Sequence, residues 1–335
     1  MTQWYIQDEH YQRMSPLCDL RATFEQRTGG LTTLERLTRD RGSAPAGFLC
    51  DDDLRAEMIA HRTGLPRVAD KDAPLGDHPT ISTPWDILEH FPALLKEDLE
   101  RAEPLGLCPD AQTFGDHRID IHPSAKLFST TVLDASNGAI RIEAGAVIRP
   151  NAVIIGPCWI GEGSTVYEAG IIKSNTSIGP CCKVSGEVGG TIFQGYTNKC
   201  HGGHLGDSVV GEWVNFGAGT TNSNLLNTYG EIVVVDLEGG RHKTGRSYVG
   251  CFVGDHVKFA INTRIMTGSI IGTGAMIATS MPAPSPTQRF AWLTDAGSRT
   301  YRTSKFLDVA RAVMARRDKE LDSATEMVIQ QLVDL

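Results

Sequence analysis

The residues best suited to chemistry are crowded into Asn198-Lys199-Cys200-His201-Gly202-Gly203-His204-Leu205-Gly206-Asp207, with Asn215, Asn222 and Asn224 following. Histidine titrates close to neutral pH, which suits a general base. A histidine beside glycines can be approached closely by a substrate and by backbone donors. Asparagine amides can orient a sugar or donate to an oxyanion without bringing charge. The ordinary alternative is that His201 and His204 are turn residues stacked in register. Cys200, His201 and His204 also make a fragment of a metal site, but no further ligand pair stands at finger spacing, so no metal is expected.

The elements that must hold these residues are written in a period of six. Ile142, Ile148, Ile154, Ile160, Val166, Ile172, Ile178 and Val184 follow one another without a miss, and Val253, Phe259, Ile265, Ile271 and Ile277 repeat the pattern. Neither an α-helix nor an isolated strand has that period. A β-helix does, because each six-residue segment turns one aliphatic onto a shared core. Small and turn-forming residues fill the hexads, as in Ile160-Gly161-Glu162-Gly163-Ser164-Thr165.

Repeats start faintly at Ile121, and an interruption is expected over 130–141. The period lapses after Gly186 and returns at Val210 and Phe216. A longer insertion is expected at 225–247, carrying the basic run Gly240-Arg241-His242-Lys243-Thr244-Gly245-Arg246. Breaks in a solenoid are where binding loops leave it. Three units are expected: a small α/β N-terminal domain (1–115), a β-helix (116–283) and a helical tail (284–335) that caps the open end. Ser82-Thr83-Pro84 marks a helix start, with Pro92 as a kink or restart. Phe306, Val309, Ala310, Val313 and Met314 form a helical stripe, and Met327, Val328, Gln331 and Leu332 a second.

With 335 residues and a net charge of −8, the chain does not read as a nucleic-acid binder. No run approaches the roughly 18 apolar residues of a membrane span. The opening Met1-Thr2-Gln3-Trp4-Tyr5 lacks the charged and apolar regions of a signal peptide, so a cytoplasmic location is expected. The eight cysteines, Cys108 among them, have no CxxC and read as reduced thiols. Asp51-Asp52-Asp53 reads as a solvated acidic turn rather than a magnesium site on a nucleotide.

The segment from His201 to Asp207 through Asn215-Phe216-Gly217-Ala218-Gly219-Thr220-Thr221-Asn222-Ser223-Asn224 resembles the acetyltransferase half of the bifunctional GlmU enzymes. Those acetylate glucosamine 1-phosphate and then add UMP, making UDP-N-acetylglucosamine. Phe193-Gln194-Gly195-Tyr196-Thr197-Asn198-Lys199, Gly211-Glu212-Trp213-Val214-Asn215, Gly254-Asp255-His256 and Val313-Met314-Ala315-Arg316-Arg317 are similar to the divergent GlmU-like branch of Bacteroidetes.

The resemblance implies a left-handed parallel β-helix, mainly β, assembled as a homotrimer with acetyl-CoA between neighbouring coils. It implies His201 as the base that deprotonates the sugar amine. It places Asn224 where the amine and the thioester carbonyl are positioned, and Asn215 at a sugar-binding asparagine. His204 falls where the family has a phosphate-contacting tyrosine. Lys243, or Arg241 beside it, falls near a phosphate-binding lysine, with Lys173 and Lys199 as further candidates. The ordinary alternative for each lysine is a solvated surface residue. Ala218, Arg316 and Arg317 are implied in binding coenzyme A, with Arg311 and Lys319 near them.

The N-terminus departs from the family. A sugar-nucleotide pyrophosphorylase opens on a glycine-rich phosphate loop, and Trp4-Tyr5-Ile6-Gln7-Asp8-Glu9-His10 has no such glycines. Residues 1–115 are also too few for such a domain. Uridylyl transfer is therefore expected to be absent or supplied by another protein, and Mg²⁺ is expected only if nucleotidyl transfer is retained. The expected reaction is direct acetyl transfer to a hexosamine phosphate, with no acyl-cysteine on Cys200. Three alternatives stay open: acylation of a nucleotide-linked amino sugar, a pyrophosphorylase with an unfamiliar N-terminal motif, and a non-catalytic hexapeptide scaffold.

Overall fold

A computed structural model describes residues 3–69, 74–76, 79, 81–106 and 111–334. The hexads wind into a parallel β-solenoid with three flat faces. The first face runs through strands Gln112–Phe114, Val132–Asp134, Val153–Ile155, Ile171–Ile172, Glu187–Gly189 and His204–Gly206. The second face holds eight strands from Ile119–Ile121 to Ser269–Ile271, and the third holds ten. In the regular part, Thr165 pairs with Val147 below and Lys183 above, so three hexads close one coil.

Every aliphatic of both six-residue series is buried in one continuous core. Each such side chain contributes roughly 1.5–3 kcal/mol by leaving water. The segment 130–141 is not an interruption, because Val132–Asp134 and Ile140–Ile142 are in-register strands. A few extra residues at the corner between them throw the hexad count off. After Gly186 the strands likewise continue on shortened corners: Lys183 pairs with Asn198, and the inward positions become Val188, Phe193, Lys199, Leu205, Val210 and Phe216. The 225–247 insertion is an antiparallel hairpin, Val233–Val235 with Arg241–Lys243.

Among the described residues five α-helices flank the solenoid: α1 (Thr33–Arg41), α2 (Asp53–Thr63), α3 (Pro84–Arg101), α4 (Thr303–Ala315) and α5 (Ser323–Asp334). Proline stands in the first turn of α3, and the helix runs through Pro92 to Arg101. Its apolar stripe Ile87, Leu88, Phe91, Leu95 and Leu99 packs on the outward residues of the second face, Trp159, Ile192, Val209, Phe252 and Ile270. The residues before the repeats are thus fastened along one wall of the solenoid. Buried ion pairs reinforce the seam, with Arg21 to Asp255 at 2.5 Å and Arg289 to Asp19 at 2.9 Å.

The tail helices share a core with the N-terminal residues: Phe306, Leu307, Val328 and Ile329 meet Trp4, Phe24, Met58 and Ile59. The tail therefore closes on the N-terminal segment as well as on the last coils. Asp52 caps α2 through the Arg55 amide at 2.9 Å, and Asp53 pairs with Arg67 at 2.6 Å. Cys108 lies outside the described residues, and the other seven cysteines are free.

Candidate active site

His201 stands at the corner between the third and first faces, two residues past the strand Asn198–Lys199. The corner is tight. A Cβ on Gly203 would meet the Thr220 carbonyl at 2.2 Å, and Gly219 N donates to Gly202 O at 3.2 Å. Ala218 and Gly219 therefore form the adjoining corner on the next coil. The His201 side chain is exposed, and its ring has no hydrogen-bond partner among the described residues.

His204 begins the next strand and points outward on the first face, in register with Glu187. Its Nδ1 lies 3.3 Å from the Asn222 carbonyl, a contact that favours the proton on Nδ1 and leaves Nε2 open. Asn222 occupies an inward position and replaces ladder bonds with its amide, which accepts from Gly206 N and donates to Gly206 O, both at 2.9 Å. Asn224 Nδ2 donates to Asp207 Oδ2 at 2.6 Å. Burial lifts the Asp207 carboxyl above the usual carboxylate range, against the pull of the Asn224 amide. His204 and Asn224 meet over bare Gly206, where a Cβ would lie 2.6 Å from His204 Cε1 and 2.7 Å from Asn224 Nδ2.

Asn215 is placed elsewhere, on the outside of the third face. The register Lys183, Asn198, Asn215, Lys258 runs up that face as a polar ladder. Asn198 Nδ2 donates to Asn215 Oδ1 at 3.2 Å. The end of α4 arches over the ladder, leaving a cavity of about 320 Å³ lined by Lys183, Tyr196, Asn198, Asn215, Lys258, Arg316 and Arg317. Four cations and no carboxylate line it. Burial pushes the Lys258 ammonium down to about 8. Arg316 and Arg317 thus join Asn215 in one groove.

Aromatic rings wall the groove at a corner of positive φ. Gly145 and Gly163 take that conformation in the lower coils, whereas Tyr196, Trp213 and His256 hold it at +54°, +61° and +60°. A side chain there costs roughly 1–2 kcal/mol. Ring stacking offsets it, with Tyr196 and Trp213 centroids 4.3 Å apart and nearly parallel. A larger cavity of about 560 Å³ lies between α4 and the hairpin Ala291–Thr294 with Gly297–Thr300, lined by Trp292, Arg299, Arg302 and Lys305. None of the candidate site residues named from sequence lines it, and of the tail stripe only Val309 does.

The remaining candidates other than Lys199 are held apart from the His201 corner. Lys173 is paired with Glu187 on the first face. Arg241 and Lys243 sit on the excursion hairpin, where Lys243 reaches Glu231 at 3.9 Å and His242 packs on Trp85 of α3. Arg311 pairs with Glu326 of α5 at 2.6 Å, and Lys319 lies over the Tyr196 ring. Lys199 is not presented to a phosphate: its ammonium lies inside the coil, bonded to backbone carbonyls. Among the described residues no group of three His, Cys, Asp or Glu is placed to hold a metal ion.

Sequence reasoning missed Lys183, Lys258 and the aromatic wall, and gave Asn198 no role of its own within the polar segment. A signal existed: each ladder residue directly precedes an inward one, as in Lys183-Val184, Asn198-Lys199, Asn215-Phe216 and Lys258-Phe259. The outward hexad position was as readable as the inward one.

No family model matches the chain. It is 37% identical over 168 residues to a bifunctional sugar-1-phosphate nucleotidylyltransferase/acetyltransferase of Sulfurisphaera tokodaii, an alignment covering 50% of this chain and 40% of that protein. It is 36% identical over 142 residues to the bifunctional protein GlmU of Methanococcus maripaludis, covering 42% and 34%. The chain thus spans less than half the length of these curated relatives. Among solved structures, a mutant perosamine N-acetyltransferase from Caulobacter crescentus in complex with CoA and GDP-perosamine aligns over 89% of this chain and 96% of that one. Its TM-score is 0.16 at 12% identity, so the overlay carries no argument. The resemblance to the GlmU enzymes is therefore matched by curated relatives bearing that name, to which this chain is similar over about half of its length.

Proposed function

We propose that this protein is an acetyl-CoA-dependent N-acetyltransferase acting on an amino-sugar phosphate, glucosamine 1-phosphate, in UDP-N-acetylglucosamine biosynthesis. The observation that carries the reading is the His201 corner: an exposed imidazole, with no hydrogen-bond partner among the described residues, on a glycine turn one strand away from Asn224 and Asp207. His201 takes a proton from the sugar amine as nitrogen attacks the thioester carbon. The coenzyme A thiolate leaves, and the acetyl group passes to nitrogen without a covalent enzyme intermediate. Positioning of both substrates supplies much of the rate, and preorganised amides at the oxyanion supply about 3 kcal/mol each.

The groove under α4 suits the phosphates of coenzyme A, because Lys183, Lys258, Arg316 and Arg317 converge there on a chain of net charge −8. A homotrimer is supported by the first face, where Val132, Val153 and Ile171 form an outward apolar column in register and Ile171 is 40% exposed. His204 lies on that same face, so a partner subunit packed there borders the site. Magnesium has a place only if nucleotidyl transfer is retained, and Asp52 and Asp53 are already engaged with α2 and Arg67.

His204 offers a second reading as the base, favoured by its contact with the Asn222 carbonyl, since a base is normally oriented by a second group. The test is thiol release from acetyl-CoA with glucosamine 1-phosphate, run beside pyrophosphate release from UTP with N-acetylglucosamine 1-phosphate. Acceptor-dependent thiol release supports the proposal. Pyrophosphate release alone replaces it with the pyrophosphorylase reading, and neither product supports the scaffold.

A further inference from the structure

Each coil points aliphatic or aromatic side chains into the solenoid, yet at one inward position the chain places a lysine. Lys199 is 2% exposed, in register with Val184 on the coil before it, while Phe216 holds the equivalent place on the next. Its Nζ donates to the carbonyls of Gly203 at 2.7 Å, Ser185 at 3.1 Å and His201 at 3.3 Å. An ammonium has three protons, and each finds one acceptor. Among the described residues it makes no salt bridge with a carboxylate, and burial pushes the group down to about 8.

Core stability does not explain this residue. Sequestering an ammonium without a counter-ion is costly, and an aliphatic residue of similar volume avoids that cost. What the lysine supplies is order in a segment that has little of its own. Gly202 and Gly203 bring no side chains to the turn, and two of the three carbonyls bound by Lys199 belong to that turn. The third, on Ser185, belongs to the corner of the preceding coil.

We propose that Lys199 is a positioning residue, whose ammonium ties the His201 turn to the preceding coil from inside the solenoid and so fixes where the imidazole stands. The function assigned to it rests on reading the His201 corner as the active site. The mechanical role does not, and the two can fail separately.

The test compares wild type with Lys199→Met, which keeps the length of the side chain and removes its donors, and with Lys199→Val, which copies the coil before it. Both variants are expected to melt at or above the wild-type temperature. The kcat for acetyl transfer is expected to fall about tenfold to a hundredfold, as for a slightly misplaced catalytic group, with KM for acetyl-CoA within about twofold. Hydrogen exchange of the Gly219 and His204 amides, which donate to Gly202 O and Thr221 Oγ1 across this turn, is expected to quicken at least about tenfold while the remaining coils are unchanged. Unchanged kcat and unchanged exchange overturn the proposal. A matched loss of melting temperature and activity in both variants also overturns it, making Lys199 a structural strut. Should the wild type prove inactive on every amino-sugar acceptor, the active-site reading fails, and local exchange alone decides whether Lys199 holds the turn.

Discussion

Asn224 Nδ2 and Asp207 Oδ2 are joined across 2.6 Å from neighbouring coils. The bond commits the amide nitrogen of Asn224 to a half-buried carboxylate and leaves its oxygen as the end turned to a ligand. In the proposed reaction that oxygen accepts from the attacking amine. Asn224→Ala removes this acceptor and strips Asp207 of its donor, at a cost of about 1–3 kcal/mol. Turnover is expected to fall at least about tenfold, with a lowered melting temperature, and Asn224→Asp is expected to be worse because it sets two carboxylates together. Steady-state kinetics and thermal melts of the pair check this.

Gly206 is the floor on which His204 and Asn224 meet. Gly206→Ala drives a methyl group against the mobile ends of both side chains, which can swing aside. The stability loss is expected at the low end of about 1–3 kcal/mol for overpacking. Acetyl transfer is expected to fall more than tenfold, because two ligand-facing groups are displaced at once. Urea denaturation and kcat/KM on the same preparation separate the two effects.

The groove under α4 gives a prediction in KM. Arg316→Ala and Lys258→Met each remove one cation from a cavity with no carboxylate in its lining. Each is expected to raise KM for acetyl-CoA about fivefold or more, within the range of about 1.5–3 kcal/mol for hydrogen bonds to charged groups, with little change in kcat. The double variant should flatten the salt dependence of KM, which a titration in potassium chloride reads directly.

His256 carries a stability prediction with a defined sign. Burial, with Lys258 as the next cause, holds its imidazole down to about 3, among Glu212, Arg21 and Arg62 as the other charges that face it. The unfolded chain binds this proton near the ordinary value of about 6.5. The native state therefore gains stability above that value and loses it as pH falls toward 3. Between pH 7.5 and pH 5, wild type is expected to lose about 2 kcal/mol more than His256→Phe. Parallel slopes in the two proteins would show that His256 is not the group responsible.

The core was legible because it obeys one rule. Wherever the coil is 18 residues long, an aliphatic falls at every sixth position, as from Ile142 to Val184. Corners do not obey it, so three extra residues beside Ser136 and shortened turns after Gly186 looked like breaks although the strands run on. Within the candidate site, the proximity of His201, His204 and Asn224 was legible, because one motif carries them onto adjoining coils. The site was not legible where a helix distant in sequence supplies one wall. Nothing local to Asn215 or Lys258 says that Arg316 arrives above them. Lys199 misled for the opposite reason: a lysine in a polar segment reads as surface, and only the inward register reveals that it is inside.

The central claim is that His201 is the base of an acetyl transfer. Its most direct test is thiol release from acetyl-CoA with glucosamine 1-phosphate, comparing wild type, His201→Ala and His204→Gln, each shown to be folded. The account predicts that His201→Ala lowers kcat at least about a hundredfold, and that His204→Gln chiefly raises KM for the sugar phosphate. Full turnover in His201→Ala would contradict it, and a collapse of kcat in His204→Gln beside that result would move the base to His204.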